Sequence, residues 1–346
     1  MPDASDTLIH PHAAPPDYGE VVEIVPGILW MRISLPFRLD HVNIFLIEDG
    51  DGWVMIDTGI QSRTAQALWE RLFAGPLAGL RIRRVLVTHY HPDHIGLAGW
   101  MAERWDAPVL TSLTTYLESR NLSLSPGALD SKVYWDFYRR NGLDETTTAL
   151  LTTTGHFYLK MVSPLPPTFE RLVAGDVLNI GGRRFDVLIG NGHAPEMLML
   201  HCADERLLLA ADQVLAKISP NVSVHAVDPN GDPLGLFLRT LATMAATLPE
   251  DTYVLPGHQL PFRGLHTRIA ELAAHHEARC ALLVDACRAA PRAPADLLPV
   301  MFHRKLDPHQ MGFAFSEMLA HVNYLLRTGA LAWADPVDDV LRVEAR

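Results

Sequence analysis

Cysteine is scarce, with three residues in a chain of 346. That is too few for a disulfide framework. Cys280 and Cys287 stand seven positions apart in a stretch of helical periodicity. This sets them roughly 10 Å apart along the axis, beyond bridging range. Cys202 sits in an apolar, strand-like run, and reduced thiols of a cytosolic protein are the expectation. Long apolar runs are missing as well. No stretch approaches about 18 apolar residues, so no membrane span is expected. Met1 to Tyr18 is rich in Pro, His and Asp and has no apolar centre. It reads as a loose tail (residues 1–18) without an export signal, which points to a cytoplasmic location. Positive charge is in short supply: 29 Lys and Arg against 40 Asp and Glu leave a net charge of -11. Such a surface repels a phosphate backbone at long range, so nucleic acid is a disfavoured partner unless a local basic groove offsets the average.

Apolar content is ample, at 48%. It allows one large domain with appendages or two domains. Short strands dominate after the tail. Val21–Val25 and Ile28–Ile33 flank a Pro26-Gly27 turn, and Asn43–Ile47 and Trp53–Ile56 flank an acidic turn. Ser62–Phe73 has helical spacing, Arg84–Val87 is a strand, and a helix is predicted from Pro92 to Trp105. Residues 112–166 carry Thr and Ser runs with many aromatics and read as a largely helical insertion. Strands return from Phe169 to Ala211 and again at Thr252–Leu255, with a helix over Asp232–Leu248 between them. Beyond Gly264 the periodicity is helical, with one stripe through Leu265, Ile269, Leu272 and Leu283 and another through Met311, Phe315, Met318 and Val322. The expected organisation is a mixed α/β body over 19–264 and a small, mainly helical unit over 265–346.

The segment that carries chemistry is Thr88-His89-Tyr90-His91-Pro92-Asp93-His94-Ile95-Gly96. Four metal-competent side chains crowd a strand-to-helix turn. Alternate residues of an extended segment point the same way, so His89 and His91 can grip one ion. The turn into a helix redirects Asp93 and His94 toward a second point. Two adjacent metal positions are the natural product.

This segment resembles the H-x-H-x-D-H signature of the metallo-β-lactamase superfamily, whose fold is an α/β sandwich of two sheets between helices (αββα). Further motifs of that family follow in order. Gly192-His193-Ala194-Pro195 resembles its third histidine motif, Asp212 its strand-end aspartate, and Pro256-Gly257-His258 its last histidine. Asp57 in Ile56-Asp57-Thr58-Gly59 matches a family position that supports the ligands from behind. The resemblance covers roughly residues 20–264. It implies one metal on His89, His91 and His193, a second on Asp93, His94 and His258, and Asp212 bridging both. The C-terminal part, especially Gln310–Arg327, resembles the small winged-helix-like domain appended to some members. One departure is Met197, where relatives with a similar loop carry another histidine or a small residue.

Imidazole and carboxylate suit zinc, and also iron or manganese; no cysteine enforces zinc. Metal-bound water has a pKa near 7, so hydroxide is available at neutral pH, with Asp93 able to handle a proton. The expected activity is hydrolysis of a small ester-type substrate, a thioester of glutathione or coenzyme A or a lactone. The alternative is a metal-dependent endoribonuclease or phosphodiesterase, as among relatives with an appended C-terminal domain. A missing export signal argues against β-lactam resistance, and no flavin partner domain is visible for a di-iron redox role. A homodimer is compatible with the sequence. Tyr90, His41, Asn43, Ser219 and Asn221 are candidates for the rim of the site. The aromatic insertion is expected to overhang the metals, with plain helix packing as its alternative.

Overall fold

The computed structural model describes residues 8–124, 132–154, 157–303 and 306–346. They divide into two compact units. The first comprises the described residues up to Leu124, then Phe157–Pro220 and Met244–Arg268. It holds twelve strands in two sheets. The seven-stranded sheet runs in spatial order β1 (Val22–Val25), β2 (Ile28–Ser34), β3 (His41–Asp49), β4 (Gly52–Ile56), β5 (Ile82–Leu86), β6 (Val109–Thr111), β7 (Glu170–Arg171). Its first four strands pair antiparallel and the later ones parallel. The five-stranded sheet contains β8 (Val177–Ile180), β9 (Arg183–Gly190), β10 (Met197–Cys202), β11 (Leu207–Ala211) and β12 (Tyr253–Pro256), in the order β12-β11-β10-β9-β8. Only β11 and β12 pair parallel there.

The larger sheet is buried on both faces. From β2, Ile28 and Trp30 join Phe45 and Ile47 of β3 and Val54 and Ile56 of β4, packed with Phe185, Leu200, Leu209 and Leu255 of the other sheet. The alternate residues Met31, Ile33, Ile44, Leu46 and Met55 pack against Trp69 and Leu72 of helix Arg63–Ala74 and Met101 of helix Ala98–Trp105. Double burial is why these strands read as nearly unbroken apolar runs. Fold class and family resemblance agree with this architecture.

Two local expectations change. The helix expected from Pro92 to Trp105 is two pieces, Pro92–Ile95 and Ala98–Trp105. Leu97 N–H is taken by Gly59 O at 3.0 Å instead of a carbonyl one turn back, so the helix breaks there. The expected loose tail is docked from Leu8 onward. Leu8 is buried, Ile9 bridges Arg263 through two backbone bonds of 3.2 and 2.8 Å, and Arg32 Nε donates to Pro16 O at 2.8 Å. Residues 1–7 lie outside the described residues. In the insertion, within the first unit, Tyr116 stacks on Phe169 with centroids 4.1 Å apart, as the packing alternative expects for that residue.

The second unit comprises the described residues of 125–156, with 221–243 and 269–346. Here Phe137 and Tyr138, on helix Lys132–Arg140, pack against Phe315 of helix Pro308–Thr328. After that helix ends at Gly329, β13 (Leu331–Val337) and β14 (Val340–Ala345) form an antiparallel hairpin. Asp338 and Asp339 both take positive φ, 51° and 62°, as the mirror-image hairpin turn requires. All three cysteines are free and buried.

Candidate metal centre

Strand ends of both sheets supply the candidate residues. β5 runs out into Thr88 and His89, β9 into the loop holding His193, β11 into Asp212 and β12 into His258. All seven side chains expected from the sequence meet in one place. His89, His91 and His193 bring donor atoms within 4.8 Å of one another, as do His89, His94 and Asp212, and Asp93, His94 and His258. Asp212 Oδ2 lies 3.4 Å from His193 Nε2 and 3.2 Å from His258 Nε2, while its Oδ1 lies 3.5 Å from His94 Nε2. The carboxylate thus stands between two groups of imidazoles. Asp93 Oδ2 is 3.3 Å from His258 Nε2 and, with a side chain 19% exposed, is the more open of the two acids.

The imidazoles are aimed from behind. Asp57 Oδ2 accepts from His94 Nδ1 at 2.8 Å, and its carboxylate also accepts from Thr88 N and Thr88 Oγ1 at 2.8 Å. With its proton given to Asp57, Thr88 Oγ1 accepts from His89 Nδ1 at 3.0 Å. His258 Nδ1 donates to His41 O at 2.6 Å. In each case Nδ1–H is held and Nε2 is left for the interior, the arrangement metal-binding histidines adopt. Asn43 secures the His258 loop: its Nδ2 donates to Pro256 O at 2.9 Å and Gln259 O at 2.8 Å. His41 Nε2 accepts from Gln259 N at 2.8 Å. His41 and Asn43 therefore support the His258 loop from behind. Tyr90 packs on Ala194, Met197 and Ala211, so the departure at Met197 fills the floor beneath two ligand loops.

The backbone is strained where it presents these side chains. Asp57, Ala211 and Gln259 have positive φ of 61°, 45° and 68°, a region that costs a non-glycine residue about 1–3 kcal/mol. Gly257 is needed for space. A Cβ there would fall well inside contact distance of Asp212 Oδ1 and 2.9 Å from His94 Cε1.

The electrostatics suit cations. Burial, with neighbouring imidazoles, pushes His89 well below its ordinary value and His91 down to about 3, so both are neutral donors at pH 7. Burial works against charge on His258 too, yet Asp212 and Asp93 carry it up to about 10. His94 is likewise raised by Asp212, Asp93 and Asp57 against the cost of burial. The buried Asp212 and the partly buried Asp93 thus demand positive charge, and protons on His94 and His258 supply it when no metal does. His94 Nε2 and Asp212 Oδ1 are buried with no hydrogen-bond partner, a costly state in the interior. Divalent cations would satisfy these atoms and the charge together, so the residues present fit a two-metal group.

Comparison with known proteins agrees. The sequence profile of the metallo-beta-lactamase superfamily matches residues 37–258, a range holding all seven candidates. The chain belongs to that superfamily. A second profile, described as a metallo-beta-lactamase-like C-terminal domain, matches residues 280–346. A beta-lactamase domain protein from Burkholderia ambifaria is 39% identical, with 99% of each chain covered and a TM-score of 0.92. The metallo-beta-lactamase family protein TTHA1429 from Thermus thermophilus is 29% identical, covering 93% of this chain and 100% of that one, with a TM-score of 0.78. A Bacillus subtilis protein named "Probable metallo-hydrolase YqgX" is 25% identical over 230 residues, 66% of this chain and 89% of its own.

The sequence did not reveal the roles of Thr88 or Gln259. Their partners lie up to hundreds of positions away, and each residue type is ordinary where it stands. Asn43 did leave a signal, as a polar residue inside the apolar run Val42–Ile47.

Proposed function

We propose that this metal-dependent hydrolase cleaves a small ester-type substrate, a thioester or a lactone. The group bound would be two divalent ions, zinc in the first instance and iron or manganese as alternatives. His89, His91 and His193 would hold one ion, Asp93, His94 and His258 the other, with Asp212 shared. Bound ions of this kind polarise a carbonyl and acidify water to near neutrality. The protein's own residues do the rest. Asp57, Thr88 and the His41 carbonyl fix the tautomers and aim of three imidazoles. Asp93, the more open carboxylate, takes and returns a proton. Tyr90, Ala194 and Met197 give the site an apolar side.

The observation that carries the reading is the donor set itself, five imidazoles and two carboxylates converging in a buried pocket of charge. Among the described residues, no lysine or arginine is one of the seven candidate ligands or of the groups that orient their imidazoles, and the chain as a whole is acidic at -11. Both features favour a substrate of low charge over a polyanionic backbone. The test is a panel of thioesters, lactones, phosphodiesters and RNA on zinc-, iron- and manganese-loaded protein. Turnover confined to the acyl substrates is expected. Preferred cleavage of RNA or phosphodiesters would replace the ester reading with the nuclease one.

A further inference from the structure

Two loops carrying candidate ligands are tied to the two ends of the chain excursion that lies between β6 and β7. At its start, Thr114 donates to Glu196 Oε2 twice, from Oγ1 at 2.6 Å and from its backbone N at 3.2 Å. Glu196 stands three residues after His193, has a positive φ of 47°, and its own N–H donates to Asn191 Oδ1 at 3.1 Å. Glu196 therefore closes the Asn191–Glu196 loop on itself and fastens it to helix Leu113–Leu124. Toward the end of the excursion, Tyr158 OH donates to Tyr90 O at 2.8 Å. That carbonyl lies between His89 and His91, so Tyr158 holds the backbone that separates the two histidines. Tyr90's ring, in turn, packs on Ala194 and Met197, which flank the same histidine loop. The His91 and His193 rings meet edge to face, with centroids 4.6 Å apart.

Both ties bear on one set of three histidines: His89, His91 and His193. In the other set, His94 is held directly by Asp57, which reaches His89 only through Thr88, and His258 by the His41 carbonyl; none of Thr114, Glu196 and Tyr158 bonds to these groups in the contacts above. The structure assigns Thr114, Glu196 and Tyr158 as positioning residues for the three-histidine metal position specifically. The inference rests on the two-metal reading above. Its physical basis is that ligand loops strained into place need outside partners, and losing such a partner weakens metal binding about 10–100-fold. A tie at only one of two neighbouring positions makes the two affinities separately adjustable.

The test measures zinc affinity by chelator competition on the full chain, with folding checked by circular dichroism. Tyr158→Phe removes one hydroxyl, and Glu196→Gln is a second variant should the first fold poorly. Each is placed in a His258→Ala background, which leaves the three-histidine position, and in a His193→Ala background, which leaves the other. About tenfold weaker zinc binding is expected in the His258→Ala background, with no change in the His193→Ala background. Unchanged affinity in both, or equal weakening in both, overturns the assignment. Failure of the unmutated protein to bind zinc at all would instead sink the two-metal reading on which the assignment stands.

Discussion

Asp57 accepts a hydrogen bond from His94 at 2.8 Å, and it does so from a backbone held at φ 61°. The same carboxylate receives both the backbone N–H and the hydroxyl of Thr88. One buried acid thereby orients His94 directly and His89 through Thr88. Asp57→Asn keeps the shape but cannot accept all of these donors. Zinc affinity is expected to fall about 10–100-fold, with a smaller loss of thermal stability. Chelator competition checks it, and unchanged affinity would show that Asp57 is merely a turn residue.

Gly257 offers a steric test of the shared aspartate. A methyl group at this position collides with Asp212 Oδ1, a site residue locked by its neighbours. Gly257→Ala should leave the fold intact by circular dichroism while reducing bound metal by at least half. Full metal content would mean that Asp212 can move without cost.

Asn43 links three elements. It accepts from Trp30 Nε1 at 3.0 Å and donates to Pro256 O and Gln259 O. Asn43→Ala strands a buried indole N–H and removes the brace on the His258 loop. Each buried group left unpaired costs about 1–3 kcal/mol, so a loss of a few kcal/mol is expected in urea unfolding. A change below about 0.5 kcal/mol would be within the range of an ordinary surface substitution and would contradict the bracing role.

The second unit holds a pH test that does not involve the metal residues. His276 Nδ1 lies 3.1 Å from His321 Nε2 in a fully buried contact. His321 Nδ1 donates to Glu317 O, so its Nε2 accepts and His276 donates. Burial first, then neighbouring positive charge, lowers His276 to about 2, and burial lowers His321 to about 4. Arg279, paired with Glu317, and His275 stand beside them. Both folded values lie below the unfolded value near 6.5, so the unfolded chain binds more protons as the pH drops. Stability is therefore full above about 6.5 and declines from there toward pH 4, by at most about 1.4 kcal/mol per unit for each imidazole. His321→Gln should flatten that slope between pH 7 and 5 in urea titrations. An identical slope in the variant would show the pair plays no part.

Much of the candidate site was legible because its candidate ligands sit in short motifs at strand ends. His89, His91, Asp93 and His94 fall within six residues, and resemblance to a known family placed His193, Asp212 and His258. The sandwich was legible from the apolar runs, since strands buried on both faces carry little polar alternation. Other parts depend on partners that sequence spacing does not connect. Leu97 breaks a helix because Gly59 captures its N–H, and Leu8 to Pro16 dock because Arg263 and Arg32 receive them. The final hairpin, Leu331–Ala345, follows directly on a long helical stripe, and Pro336 and Asp338-Asp339 interrupt its apolar run. For the aromatic insertion the sequence left a substrate cap and plain helix packing as alternatives, because ring contacts such as Tyr116 on Phe169 and Phe137 on Phe315 join residues that no spacing connects.

The most direct measurement is metal content by elemental analysis of the purified chain and its Asp212→Ala variant, each reconstituted with zinc and desalted. Two zinc ions per chain are predicted for the unmutated protein, with most of both lost in the variant as hydrolytic turnover disappears. A variant that keeps two ions and full turnover would contradict the proposal that Asp212 joins a pair of cations.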